Sequence, residues 1–160
     1  MSDFTWHGVE RSAYAAANDA KALYRGVTRQ VLSGKDPHAK FEVRYFEIAP
    51  GGYTRLERHR HVHSVMVLRG RGYAIVGSDV HAIGPHDHIG VPPHTLHQFV
   101  NQGAQPLGFT CVVDARRDRP KPATIADIAA LEQNARTKGK CRPRPPPRRA
   151  RGKSMQGAAR

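Results

Sequence analysis

The sequence predicts a small all-β barrel built as one domain. Three observations predict it: turn residues recur about every 8–12 residues between Phe41 and Val113, the segments between them are short apolar runs of the strand type, and helical periodicity is nearly absent from this stretch. A chain of 160 residues fits one domain of ordinary size and leaves little room for a second core.

Taken in order, Ser12–Leu23 is alanine-rich and is expected to form a short helix, with Tyr14 and Leu23 or Tyr24 giving partial apolar contacts. Gly26 to Pro37 is expected to wrap the outside of the barrel. Period-two alternation starts at Phe41, where Phe41, Val43 and Tyr45 alternate with Glu42 and Arg44. That pattern suits a half-buried strand ended by Pro50-Gly51-Gly52. Strands then follow at Val65–Leu68, Tyr73–Val76, Val80–Ile83, Ile89–Val91, Leu96–Val100 and Leu107–Val113, with Gly70-Arg71-Gly72, Ser78-Asp79, Pro85–Asp87, Pro92-Pro93 and Gly103–Pro106 as the turns. Thr124-Ile125-Ala126-Asp127 has the spacing of a helix capping box with Asp in the acidic place, which predicts a short helix over Thr124–Arg136. The divisions expected are 1–38 as an N-terminal segment packed on the barrel, 39–115 as the barrel, 116–136 as an exit loop and short helix, and 137–160 as a disordered basic tail.

The charge is unevenly placed. The formal net charge is +13, yet residues 135–160 carry ten Lys/Arg and no acid, so the rest of the chain holds 16 basic residues against 13 acidic ones. The barrel itself is therefore close to neutral, and a nucleic-acid reading attaches only to the tail. Its cations would bind phosphates weakly and without sequence preference, since no aromatics are interleaved for base stacking. Cys111 and Cys141 lack C-x-x-C spacing, which argues against zinc or disulfide work. No stretch approaches the ~18 apolar residues of a membrane span, and the start lacks a secretory pattern. A cytoplasmic location without membrane contact is expected.

Eight of the ten histidines, at 59, 61, 63, 81, 86, 88, 94 and 97, fall within 39 residues. Imidazole is the commonest protein ligand for first-row transition metals, and alternate side chains of barrel strands converge on the interior. His81, His86, His88 and His94 are expected to be ordinary loop residues.

Two stretches, from Gly51 to Gly70 and from His86 to Asn101, resemble the paired motifs of the cupin superfamily, G-x5-H-x-H-x3,4-E-x6-G and G-x5-P-x-G-x2-H-x3-N. Anchored at Gly51 and Gly70, the first motif puts Glu57 and His59 at its two histidine positions and His63 at its glutamate position. In the second, Pro92, His97 and Asn101 match, while His86 and His94 stand where the pattern has glycine. A competing register takes His59-x-His61 as the pair and leaves Glu57 in a salt bridge with Arg58 or Arg60; the first keeps both glycine spacings and is preferred. The resemblance implies a double-stranded β-helix (jelly-roll) barrel with short N- and C-terminal helical segments, and a divalent transition metal (Fe, Mn, Ni, Cu or Zn) held by Glu57, His59, His63 and His97, with His61 as alternative ligand. It further implies a small-molecule ligand or substrate and a homodimer. Gly51 and Gly52 are read as turn formers, Tyr53 and Arg55 as facing either the pocket mouth or solvent, with solvent preferred, Phe99 as core and Asn101 as securing a turn. The expected activity is that of a metal-dependent dioxygenase or isomerase/lyase on a small oxygenated molecule, the alternative being a non-enzymatic binding or sensor cupin. Tyr53, His61 and Glu57 are the nearby acid/base candidates, and no catalytic residue is assigned.

Overall fold

The computed structural model describes residues 6–14, 23–33 and 37–142. Eleven strands and one helix follow in chain order: β1 (Ser12–Ala13), β2 (Arg25–Ser33), β3 (Phe41–Tyr53), β4 (Glu57–Arg58), β5 (His63–Arg69), β6 (Gly72–Val76), β7 (Asp79–Ile83), β8 (His88–Val91), β9 (His97–Val100), β10 (Leu107–Asp114), β11 (Lys121–Pro122) and α1 (Ile125–Gln133). Every pairing is antiparallel, and most neighbours are distant in sequence: β10 lies between β3 and β5, β5 continues to β8, and β9 joins β3, β4 and β6. This curled, mostly β arrangement is the jelly roll expected from the sequence.

β3 departs from the expected half-buried strand in two ways. Its interior face carries Arg44, Phe46 and Ile48, whereas Phe41 is 54% exposed. The opposite face is covered as well, by Trp6 edge-on to Tyr45 at 5.9 Å and by Arg11 paired with Glu47 at 3.0 Å. Alternation cannot reveal a strand buried on both sides by distant segments. Nor does the strand stop at Pro50. Gly51, at φ +72°, and Gly52, where a Cβ would sit 2.4 Å from Arg25 O, let it bend across to β9, and Tyr53 pairs with Val100.

One apolar cluster fills the barrel around Phe46, Val65, Val67, Phe99 and Phe109, and a second, around Tyr53, Tyr73, Ile75 and Val100, is capped by Leu131 of α1. The helix starts at the predicted box, with Thr124 Oγ1 accepting from Asp127 N and the Asp127 carboxylate accepting from Thr124 N. The expected N-terminal helix is not formed at Ser12 and Ala13, which pair as a strand with Arg29 and Thr28; the edge of β2 offers them backbone partners that local alanine propensity could not anticipate. Residues 15–22 of that segment lie outside the described residues. The tail, expected to lose structure from residue 137, is packed through Arg142: Thr137 and Cys141 are buried, and Gln98 exchanges hydrogen bonds with Arg142 N and O at 2.9 and 2.6 Å. The rest of the tail, residues 143–160, lies outside the described residues.

His86 and His94, the two histidines in motif glycine places, hold φ of +74° and +61° and are exposed. A left-handed conformation costs a residue with a Cβ about 1–2 kcal/mol. Substituting glycine at either position, His86→Gly or His94→Gly, is expected to raise the unfolding free energy by about 1 kcal/mol, read as a higher midpoint in thermal or urea unfolding.

Candidate metal centre

Three strands deliver the site. Glu57 of β4 is the register partner of His97 on β9, so their side chains share a face of the sheet. His59 lies just after β4, and His63 opens β5. A ligand atom from each of His59, His63 and His97 lies within 4.8 Å of the others. The ring centroids of His59 stand 4.0 Å from those of His63 and 4.8 Å from those of His97.

Backbone carbonyls set the tautomers. His59 Nδ1 lies 2.8 Å from His61 O and His97 Nδ1 lies 3.0 Å from Thr95 O. A carbonyl only accepts, so in each ring Nδ1 carries the hydrogen and Nε2 presents its lone pair. His59 Nε2 is buried with no hydrogen-bond partner. Burial, with His97 and His61 alongside, lowers the His59 pKa to about 4; burial followed by His97 and His59 holds His63 far below the usual imidazole range, and burial also lowers His97. The rings are thus neutral at physiological pH, the form that binds metal. An unpartnered buried lone pair facing other imidazoles is the donor chemistry a divalent transition metal satisfies, so the residues fit such an ion.

The other two ligand candidates are placed differently. Glu57 is 8% exposed, and its Oε2 accepts from Arg55 Nε at 2.7 Å and from Tyr24 OH at 3.1 Å. Its ion-pair partner is therefore Arg55, whereas Arg58 pairs with Asp127 and Arg60 with Asp118. His61 lies in the cluster: its Nδ1 is 3.0 Å from Asp118 Oδ1 and its Nε2 3.2 Å from His63 Nε2. Asp118, which the sequence reading left in a polar exit loop, also accepts from Arg60 N and so clasps the turn between His59 and His63. Arg55, expected at solvent, lines the cavity, and Tyr53 is buried in the second cluster. Asn101 secures its turn, with Nδ2 donating to Ile48 O and Gln105 O and Oδ1 accepting from Gly103 N. The four remaining motif-region histidines, 81, 86, 88 and 94, are exposed.

The cavity beside the cluster is lined by Glu57, His61, His63 and His97 together with Arg44, Phe46, Phe109, Cys111 and Arg117. The family model for the cupin domain matches residues 44–113. A 1-methylthio-D-xylulose 5-phosphate methylsulfurylase of Rhodospirillum rubrum is 47% identical over 132 residues, 82% of this chain and 82% of that protein.

The chain belongs to the cupin family.

Solved cupins agree with this. A cupin-2 domain from Rhodospirillum rubrum superposes with a TM-score of 0.77 at 44% identity, covering 84% of this chain and 88% of that one. A cupin 2 conserved barrel domain protein from Rhodopseudomonas palustris gives 0.76 at 44% identity, covering 82% and 89%. Among the described residues of this cupin no helix is long and apolar enough to cross a membrane. What the motif spacing could not supply is the rest of the cavity lining. Arg44 is an inward-facing charge in mid-strand, and Cys111 is its register partner on β10; only the pairing of β10 with β3 and β5 brings both to the sheet that carries His63.

Proposed function

We propose that this cupin is a divalent-metal-dependent enzyme that cleaves the carbon–sulfur bond of a small phosphorylated sugar bearing a methylthio group. The methylthio group passes to a small thiol as a mixed disulfide, and the thiol's proton goes to the carbon it leaves. The substrate class comes from the name of the relative that is 47% identical, and it favours the lyase-like reading over the dioxygenase one. The observation that carries an enzymatic reading is the convergence of the His59, His63 and His97 ligand atoms within 4.8 Å, on a cavity that also holds a thiol and three guanidinium groups. In this proposal His59, His63 and His97 hold the metal and Glu57, facing the same way as His97, completes the set. A divalent metal there would supply Lewis acidity to a carbonyl oxygen next to the carbon bearing sulfur.

The protein's own groups then have distinct tasks. Arg55 and Tyr24 fix the Glu57 carboxylate. The Tyr24 hydroxyl stays protonated, because burial and the adjacent Glu57 push its pKa well above the usual range. Phe46, Phe99 and Phe109, with ring centroids 4.7–5.7 Å apart, form the apolar wall that excludes water and suits a methylthio group. Burial raises the Cys111 thiol to about 11, with Arg44 pulling the other way, so the side chain is a neutral thiol in the cavity wall. The homodimer, the cytoplasmic location and the weak tail-borne nucleic-acid affinity expected from the sequence belong to this proposal.

The test is to incubate manganese-, iron- or zinc-loaded protein, with and without an added small thiol, with 1-methylthio-xylulose 5-phosphate and follow the methylthio group by mass spectrometry. Transfer of that group from the sugar to the added thiol is the expected result, with no turnover when either the metal or the thiol is left out. Metal retention without turnover by any loaded form would leave a binding module in place of the enzyme.

A further inference from the structure

The cavity lining holds more positive than negative charge. Arg44 projects inward from β3 with a side chain only 7% exposed and its guanidinium over the Phe46 ring at 5.5 Å. Its Nε lies 3.2 Å from Glu42 Oε1 without the alignment of a hydrogen bond, and it is buried with no other acceptor. Arg117, from the loop after β10, places a terminal nitrogen 3.0 Å from the same Glu42 oxygen. Two guanidinium groups thus share one carboxylate. The cavity's other carboxylate, Glu57, is already engaged by Arg55, so it does not balance the excess. A buried, underpaired cation is costly unless something pays for it. Planar guanidinium groups arranged around a gap are the protein's usual answer to a tetrahedral oxyanion.

We infer that Arg44 and Arg117 form a subsite for the terminal phosphate of the substrate, in the cavity that the histidine cluster also borders. The assignment deepens the proposed function and rests on it for the identity of the substrate, but the subsite itself stands on the charge geometry. It orients the substrate: the phosphate end lies against β3 and the β10 exit loop, and the carbonyl end is left for the histidine side. Arg44 and Arg117 are positioning residues. Glu42 holds the two guanidinium groups together and yields one of them to the phosphate.

Calorimetric titration with inorganic phosphate tests this, on full-length protein both metal-loaded and stripped by a chelator, with acetate as the comparison anion. Phosphate is expected to bind both forms, and to bind Arg44→Met and Arg117→Met roughly tenfold or more weakly, with metal content unaltered. Acetate is expected to bind wild type at least about tenfold more weakly than phosphate. Should Arg44→Met fail to fold, the more exposed Arg117 decides alone. Wild-type affinity in the variants, acetate binding as tightly as phosphate, or phosphate binding seen only with metal present and indifferent to both arginines would overturn the subsite. Arginine-dependent phosphate binding by a protein that never retains metal would uphold the subsite and remove the proposed function instead.

Discussion

His97→Ala is expected to leave the protein unable to retain a divalent transition metal, lowering its affinity at least about a hundredfold in competition with a chromophoric chelator. Perturbing groups that merely orient a metal ligand costs ten- to a hundredfold, and here a ligand itself is removed. His97 is the sharpest choice because its position is overdetermined. The residue is 3% exposed, its Nδ1 is tied to Thr95 O, and its strand register sets it beside Glu57. A parallel His97→Gln variant, which preserves most of the volume, separates loss of a ligand from loss of packing: circular dichroism should match wild type while the metal is still lost. Affinity unchanged in both variants would remove His97 from the site.

Acid is expected to destabilise the metal-free protein strongly between about pH 6.5 and pH 4. His59 titrates near 6.5 when unfolded, and burial together with His97 and His61 lowers it to about 4 in the fold. Between those values the unfolded chain binds a proton that the native protein does not. Stability is therefore fully present above 6.5 and falls as pH drops toward 4. The lowering at His59 alone corresponds to roughly 3 kcal/mol. His63 and His97 shift the same way and add to the loss. Urea unfolding of chelator-treated protein at pH 7.5, 6 and 5 checks this, the midpoint falling steeply at each step. A midpoint independent of pH would mean that the imidazoles are not buried as a neutral cluster. With metal bound, the decline should steepen further below pH 6, because protons then compete directly for the ligand nitrogens.

Much of this architecture is legible in the sequence because it depends on local signals. The strands from β5 to β10 follow turn residues closely, and the Thr124-x-x-Asp127 box marks the helix start because a cap needs only four consecutive residues. The histidine cluster is legible for a related reason: Gly51, Gly70, Pro92 and Asn101 fix the spacing of the metal-capable residues. What stayed hidden depends on distant pairing. Nothing near Phe41 announces that Trp6 and Arg11 cover the outer face of β3. Nothing near Cys141 announces that it joins Tyr73 and Leu131 in an apolar cluster. Asp118 reads as a solvent residue until the exit loop returns it to His61. Arg44 and Arg117 likewise become neighbours only through Glu42. The choice between Glu57 and His61 also turns on the bend after β4, which leaves His61 Nε2 3.2 Å from His63 Nε2.

Anomalous diffraction at the metal edge, on crystals of untagged protein loaded with manganese or zinc, locates the ion and its ligands. One peak per chain is expected, in coordination contact with Nε2 of His59, Nε2 of His97, a ring nitrogen of His63 and the Glu57 carboxylate, with His61 still bound to Asp118. A peak coordinated by His61 in place of Glu57 would contradict the ligand set. No peak among these histidines in crystals soaked with saturating metal would contradict the metal centre as a whole.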